Sequence, residues 1–267
     1  MYAIGAFTTD AVSVSTYLLG QGMVTSAQLT AHYVNEFADV KVDRLVRHRT
    51  LFSGGSGVLA SGQLTRPVAL AAALVTTAST VVLIIFIEPT STAAALLGFL
   101  ALTISWAYSL RPLRLLDTGF GEATTSLVVT VFVPLVGAST QGADIATTLI
   151  WVVFSLFPVH LAMMLTFELP DLETDKRAHK NVLAVRMGEP RTRRAVSALL
   201  VLSALVVISA VIIGSVEQVA LWAVVASAVP AVLLVKLIGG TRYALLTASA
   251  VSTLVVLGSG LLVTVIL

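Results

Sequence analysis

Apolar residues dominate eight stretches of this chain, near residues 11–34, 67–87, 92–110, 120–139, 147–168, 195–214, 219–237 and 244–265, each separated from the next by polar or charged residues. A helix needs about 17 to 25 apolar residues to cross the hydrocarbon core of a bilayer, so the pattern predicts eight membrane-spanning helices. Helices are favoured because lipid offers no partner to an unpaired backbone N–H or C=O. The first stretch is the most polar. Ser, Thr, Gln and His32 interrupt it, so its inner half is expected to face protein or a cavity, where such groups cost less than in lipid. His32 is read as a helix-packing residue or as a group that positions a substrate. Residues 1–10 lack the regions of a signal peptide. No soluble appendage or Pro/Ser-rich linker interrupts the series, and residues 1–267 are read as a single all-α, polytopic domain.

Composition agrees with that reading. The chain is 57% hydrophobic and 11% charged, against about 25% charged residues in a soluble domain, and its mean hydropathy is +0.97. Absence of cysteine excludes disulfides, thiolate metal sites and cysteine nucleophiles. A pI near 9.1 raises the question of a nucleic-acid partner, but the 16 Lys and Arg residues form no single patch.

Their distribution reads as topology. Five (Lys41, Arg44, Arg47, Arg49 and Arg66) fall between Asp39 and Arg66, two in 111–118, seven in 171–194 and two in 236–242. Loops around Glu88, Asp144 and Glu217, and both chain ends, carry none. Lys/Arg-rich loops face the cytoplasm, so both termini are expected outside. A span count wrong by one would put every later loop on the other side, so the charges support the count of eight.

Two of the basic loops, 39–66 and 171–194, are long, and long loops are disproportionately functional. They lie four helices apart, a spacing that suggests two pseudo-repeated halves. Each follows a span whose inner end carries carboxylates. At the first, Asn35, Asp39 and Asp43 recur every fourth residue, which stacks them on one helix face. At the second, Asp171 and Asp175 repeat the spacing after Pro170, a residue suited to the first turn of a new helix. Carboxylates four apart repel, by a few tenths of a kcal/mol in water and by more when desolvated, and so call for a cation. Mg²⁺ fits, being a hard ion typically held by one or two carboxylates together with substrate phosphates. Lys41, Arg44, Lys176, Arg177 and Lys180 offer further countercharge. The arrangement points to ionisation of an allylic diphosphate in an apolar, water-poor site.

At these residues the chain resembles the UbiA superfamily of intramembrane prenyltransferases, whose pattern is N-x3-D-x3-D after one helix and D-x3-D four spans later. The likeness extends to Arg49 through Leu59 (RTLFSGGSGVL), to Tyr108 through Leu115 (YSLRPLRL) with Gly119-Phe120-Gly121-Glu122, and to Asp171 through Gly188, which is similar to the branch containing 1,4-dihydroxy-2-naphthoate polyprenyltransferases. It covers about residues 28 to 190. The resemblance implies that Asn35, Asp39, Asp43, Asp171 and Asp175 hold Mg²⁺ and diphosphate, and that Tyr108, Arg114 and Arg111 lie near the phosphates, with Lys180 and Arg186 closing over them. The Gly-rich loop 53–57 is expected to offer backbone N–H groups to an anion.

Several features depart from the family. Leu116 stands where many relatives carry a Lys; Arg111 or Arg114 is the expected substitute. His179 stands where Gly is common and is read as a solvated loop residue. Relatives have nine spans with the amino terminus inside, so the helix before the first Asp motif is missing from the count, and residues 1–10 stand as its remnant or as the start of a segment internal to a longer protein.

The function expected is Mg²⁺-dependent transfer of a prenyl group from a polyprenyl diphosphate to an aromatic or quinone-precursor acceptor, on the cytoplasmic side of a bacterial or archaeal cell membrane, with no nucleic-acid partner. A terpene cyclase built on the same motifs, which quenches the cation without an acceptor, is the alternative. A transporter is a remote one, because its ionisable groups belong near the bilayer midplane, whereas these cluster at one face.

Overall fold

The structure, a computed structural model, describes residues 1–9, 11–46 and 48–267. Asp10 and Arg47, the latter one of the counted loop charges, lie outside the described residues. Among the described residues twelve α-helical segments follow one another: α1 (Tyr2–Ala6), α2 (Val14–Asp43), α3 (Arg66–Ile87), α4 (Thr92–Ser109), α5 (Gly121–Leu127), α6 (Val133–Thr140), α7 (Thr147–Phe167), α8 (Leu172–Arg177), α9 (Leu183–Met187), α10 (Glu189–Ile213), α11 (Ala220–Leu237) and α12 (Tyr243–Ile266). A π-helical turn, Val128–Phe132, joins α5 to α6 into one span. Pro134 stands two residues beyond it, and its missing N–H and bulky ring are the usual reasons for a helix to widen at such a point.

Among the described residues, seven helices are long and apolar enough to cross a membrane, and α2 makes the eighth span. Its 30 residues reach about 45 Å at 1.5 Å per residue, but its composition is too polar to match the other seven. Neighbours satisfy those polar groups. Thr30 donates to Thr76 of α3 at 2.9 Å, Ser105 of α4 donates to the carbonyl of Ala27 at 3.1 Å, and Asn35 donates to Ser109 of α4 at 3.3 Å. The expectation that the inner half of this helix faces protein therefore holds for Asn35, while His32 is exposed.

The helices pack as two groups. One holds α2 with α3 and α4; the other holds α7 with α10, α11 and α12; the α5–α6 span lies between them. The larger core cluster centres on Leu149, Leu156, Leu165, Leu246 and Leu261. Burial at about 25 cal/mol per Å² of apolar surface counts here for the loops and protein-facing stripes only, since lipid already solvates the outer faces. The short α1 is wedged against α6 so closely that a Cβ on Gly5 would meet the Pro134 carbonyl oxygen at 1.7 Å. Up-and-down connectivity then brings the carboxyl ends of α2, α4 and α7 and the amino end of α5 to one end of the bundle.

Candidate active site

At that end α2 runs two turns beyond its apolar part and carries Asp39 and Asp43 inward, 3% and 9% exposed. Opposite them, the chain leaves α7 through a turn at Glu168–Asp171 and starts α8 with Asp171 at its N-cap position. Pro170 thus precedes the new helix and does not occupy its first turn. Asp171 and Asp175 are buried as deeply as the α2 pair.

One cation spans the gap. Lys180 places its ammonium 2.9 Å from Asp39 Oδ2 and 3.7 Å from Asp175 Oδ1. Arg114 takes the other Asp39 oxygen at 3.0 Å and also pairs with Asp117. Arg114 reaches inward because its backbone adopts φ 39, a left-handed conformation that a non-glycine residue rarely takes. Leu116, in the position where a lysine was expected from the family, is buried against Gly121, so its countercharge comes from Arg114.

Burial and charge set the protonation of these groups. Asp171 is pushed up to about 7, first by desolvation and then by Asp175, against a smaller opposing pull from Lys180. Asp175 is raised by desolvation. Lys180 would be lowered by its burial, but Asp39 and Asp175 outweigh that and raise it. Asp171 Oδ1 is buried and has no hydrogen-bond partner among the described residues. A buried carboxylate oxygen without a donor costs free energy, and a bound cation would remove the deficit.

The glycine loop does something other than expected. Gly54, Gly55 and Gly57 all have positive φ, and Gly55 lies on the Asp43 carboxylate so closely that a Cβ would meet Oδ2 at 2.7 Å. Rather than presenting an open N–H cradle, the loop covers an acid. Ser56 fastens it by donating N–H and Oγ–H to Glu36 at 2.7 and 2.9 Å. Arg49 donates to the Asp43 backbone carbonyl and, at 3.1 Å, to that of Gly54. Phe52 stacks on Phe167 with ring centroids 5.9 Å apart, and Thr50 meets Thr247 of α12 at 3.3 Å.

Tyr108, anticipated near the phosphates, lies against Gly121, among Glu122, Glu168 and Asp39. Arg186 is exposed and bonds the Thr118 carbonyl at 3.0 Å and Asn181 at 3.1 Å, tying two loops together. Lys41, Arg44 and Arg111 are exposed and form no ion pair among the described residues. For Lys41 the helix explains this: two residues from both Asp39 and Asp43, it sits roughly opposite them. Sequence reasoning gave Arg49, Glu36 and Glu122 no role of their own at the site, although an acid in the first turn of an apolar span is itself a signal.

A model of the UbiA prenyltransferase family matches residues 2–250. The chain belongs to that family. It is a multi-pass membrane enzyme that transfers prenyl groups. No curated protein matches the chain in sequence. Its fold is shared with a UbiA homologue from Aeropyrum pernix K1 in the apo state, at 17% identity and a TM-score of 0.74, over 98% of this chain and 94% of that one. It is also shared with a UbiA homologue from Archaeoglobus fulgidus bound to DMAPP and Mg²⁺, at 18% identity and a TM-score of 0.68, over 99% and 93% of the two chains. A digeranylgeranylglyceryl phosphate synthase structure matches at 14% identity with a TM-score of 0.70, over 99% of this chain and 90% of that one. All three resemble this UbiA-family chain in fold.

Proposed function

We propose that this UbiA-family protein, acting as one domain over 1–267, ionises a polyprenyl diphosphate between its two aspartate pairs and passes the prenyl group to an aromatic or quinone-precursor acceptor at the cytoplasmic face. The observation that carries the reading is the convergence of Asp39 and Asp43 with Asp171 and Asp175, joined through Lys180. Mg²⁺ shares its shell between a few carboxylates, water and phosphate oxygens. The unpartnered Asp171 oxygen and the paired hard donors fit such an ion, with Asn35, Asp39, Asp43, Asp171 and Asp175 as the residues that would hold it. Bound there, Mg²⁺ would supply charge stabilisation to the departing diphosphate. The Archaeoglobus homologue holds DMAPP with Mg²⁺, which supports a diphosphate in this chain.

The chain's own groups have separable parts in this scheme. Lys180 and Arg114, now committed to Asp39, are within reach of an anion that enters between the columns, and Arg49 adds charge from the loop side. As the allylic C–O bond breaks, its electron pair leaves with the diphosphate, and these cations oppose the negative charge that develops. The apolar helices behind the site exclude water from the allylic cation. The acceptor carbon then bonds to it and loses a proton. The acceptor class rests on the likeness of residues 171–188 to the 1,4-dihydroxy-2-naphthoate branch, and the cytoplasmic placement on the segregation of Lys and Arg.

Purified protein in liposomes with Mg²⁺ and a panel of allylic diphosphates, with and without 1,4-dihydroxy-2-naphthoate or 4-hydroxybenzoate, tests the proposal. A prenylated aromatic product is expected. A hydrocarbon or terpene alcohol formed equally well without acceptor would mean that the cation is quenched internally.

A further inference from the structure

Two acids beyond the aspartate pairs have no part in the scheme above. Glu122 lies in the first turn of α5 and is 1% exposed, while Glu168 stands at the end of α7. Each receives a backbone donor: Leu183 N–H reaches Glu122 Oε1 at 2.6 Å, and Ala184 N–H reaches Glu168 Oε2 at 3.1 Å. Glu122 Oε2 is buried and meets no N–H or hydroxyl donor among the described residues.

Leu183 and Ala184 open α9, whose own N-cap residue, Val182, has no side chain able to accept their N–H groups. The acid pair does that capping from across the bundle, gathering α5, α7 and α9 at one point. Just upstream in the same segment is Lys180, the cation that joins Asp39 to Asp175.

We propose that Glu122 and Glu168 are positioning residues, an acid pair that grips the start of α9 and so holds Lys180 in register with Asp39 for the diphosphate. The role assigned to Lys180 rests on the functional reading above; the grip itself does not.

A single glutamine distinguishes this from plain packing. In Glu122→Gln the side-chain oxygen still accepts the Leu183 N–H, and in Glu168→Gln it still accepts the Ala184 N–H. Alanine removes the bond in either case. The measurements, on the full chain in detergent, are amide exchange at Leu183 and Ala184, the rate of tryptic cleavage after Lys180, and the split between KM and kcat for an allylic diphosphate. Glu122→Ala and Glu168→Ala should speed exchange and cleavage by about tenfold or more and raise KM more than they lower kcat, while both Gln variants stay close to wild type. If an Ala variant fails to fold, Glu122→Asp, one methylene shorter, should show the same exchange and cleavage changes in smaller measure. Wild-type protection in the Ala or Asp variants, or Gln variants as impaired as Ala, would overturn the proposal. Exchange and cleavage are read without substrate, so a failure of the diphosphate reading shows as absent turnover in the wild type and leaves the grip measurable.

Discussion

Lys180 and Asp39 form the link on which the site turns: the ammonium sits 2.9 Å from Oδ2, and both groups are largely withdrawn from water. With Asp175 also at 3.7 Å, the lysine does, in the absence of a divalent ion, the charge-neutralising work that the aspartates require. Removing it should expose that role. Lys180→Met is expected to lose about 1–3 kcal/mol of stability in metal-free buffer, Arg114 retaining the other Asp39 oxygen. Because Mg²⁺ would no longer compete with the lysine, the variant should gain more in Tm from added Mg²⁺ than the wild type does. Thermal unfolding of both proteins in EDTA and in Mg²⁺ measures this, and equal gains would refute it.

The Asp columns were legible in the sequence because their physics is local. Residues four apart share a helix face, and apolar run length alone placed the spans within a few residues of α3, α4, α7, α11 and α12. The first span ran on to Asp43 because hydrogen bonds from α3 and α4 support its polar positions, a tertiary effect that hydropathy does not carry. Choosing between Arg111 and Arg114 likewise depended on a backbone turn, and pairing Glu122 with Glu168 depended on which helices meet. The excess exposure of Lys41 was available from helix periodicity, which places it away from Asp39 and Asp43.

Asp171 gives a pH dependence whose sign can be worked out. Its folded pKa, about 7, lies above the value of about 4 for an unfolded chain, so between these limits the folded state binds more protons. Its contribution to metal-free stability therefore falls as pH rises from about 4 to about 7. Metal binding needs the ionised carboxylate, so Mg²⁺ affinity should strengthen as pH passes through 7. Calorimetric titration with Mg²⁺ at pH 6 and pH 8 tests this, with Asp171→Asn expected to flatten the difference.

Gly55 permits the loop to lie on Asp43. An added methyl group would meet Oδ2 at 2.7 Å, and the residue has φ +67. Gly55→Ala should thus cost about 1 kcal/mol or more in backbone strain alone and displace either the loop or the carboxylate. Weakened Mg²⁺ binding and a raised KM for the donor are the expected readings; unchanged values for both would remove the loop from the site.

His179 carries the opposite lesson. It is exposed and adopts φ 55, a conformation that glycine takes without the steric cost of a Cβ. His179→Gly should leave turnover unchanged and shift stability upward by as much as about 1 kcal/mol, read as a rise in Tm. A fall in turnover would assign the imidazole a part in the reaction.

The central claim is that the facing aspartates support Mg²⁺-dependent loss of diphosphate. It is tested most directly by diphosphate release from an allylic donor in liposomes, comparing wild type, Asp39→Asn and Asp171→Asn. The account predicts Mg²⁺-dependent release by the wild type and a loss of about a hundredfold or more in each variant, as for removal of a group that stabilises developing charge. Full release by both variants would contradict it.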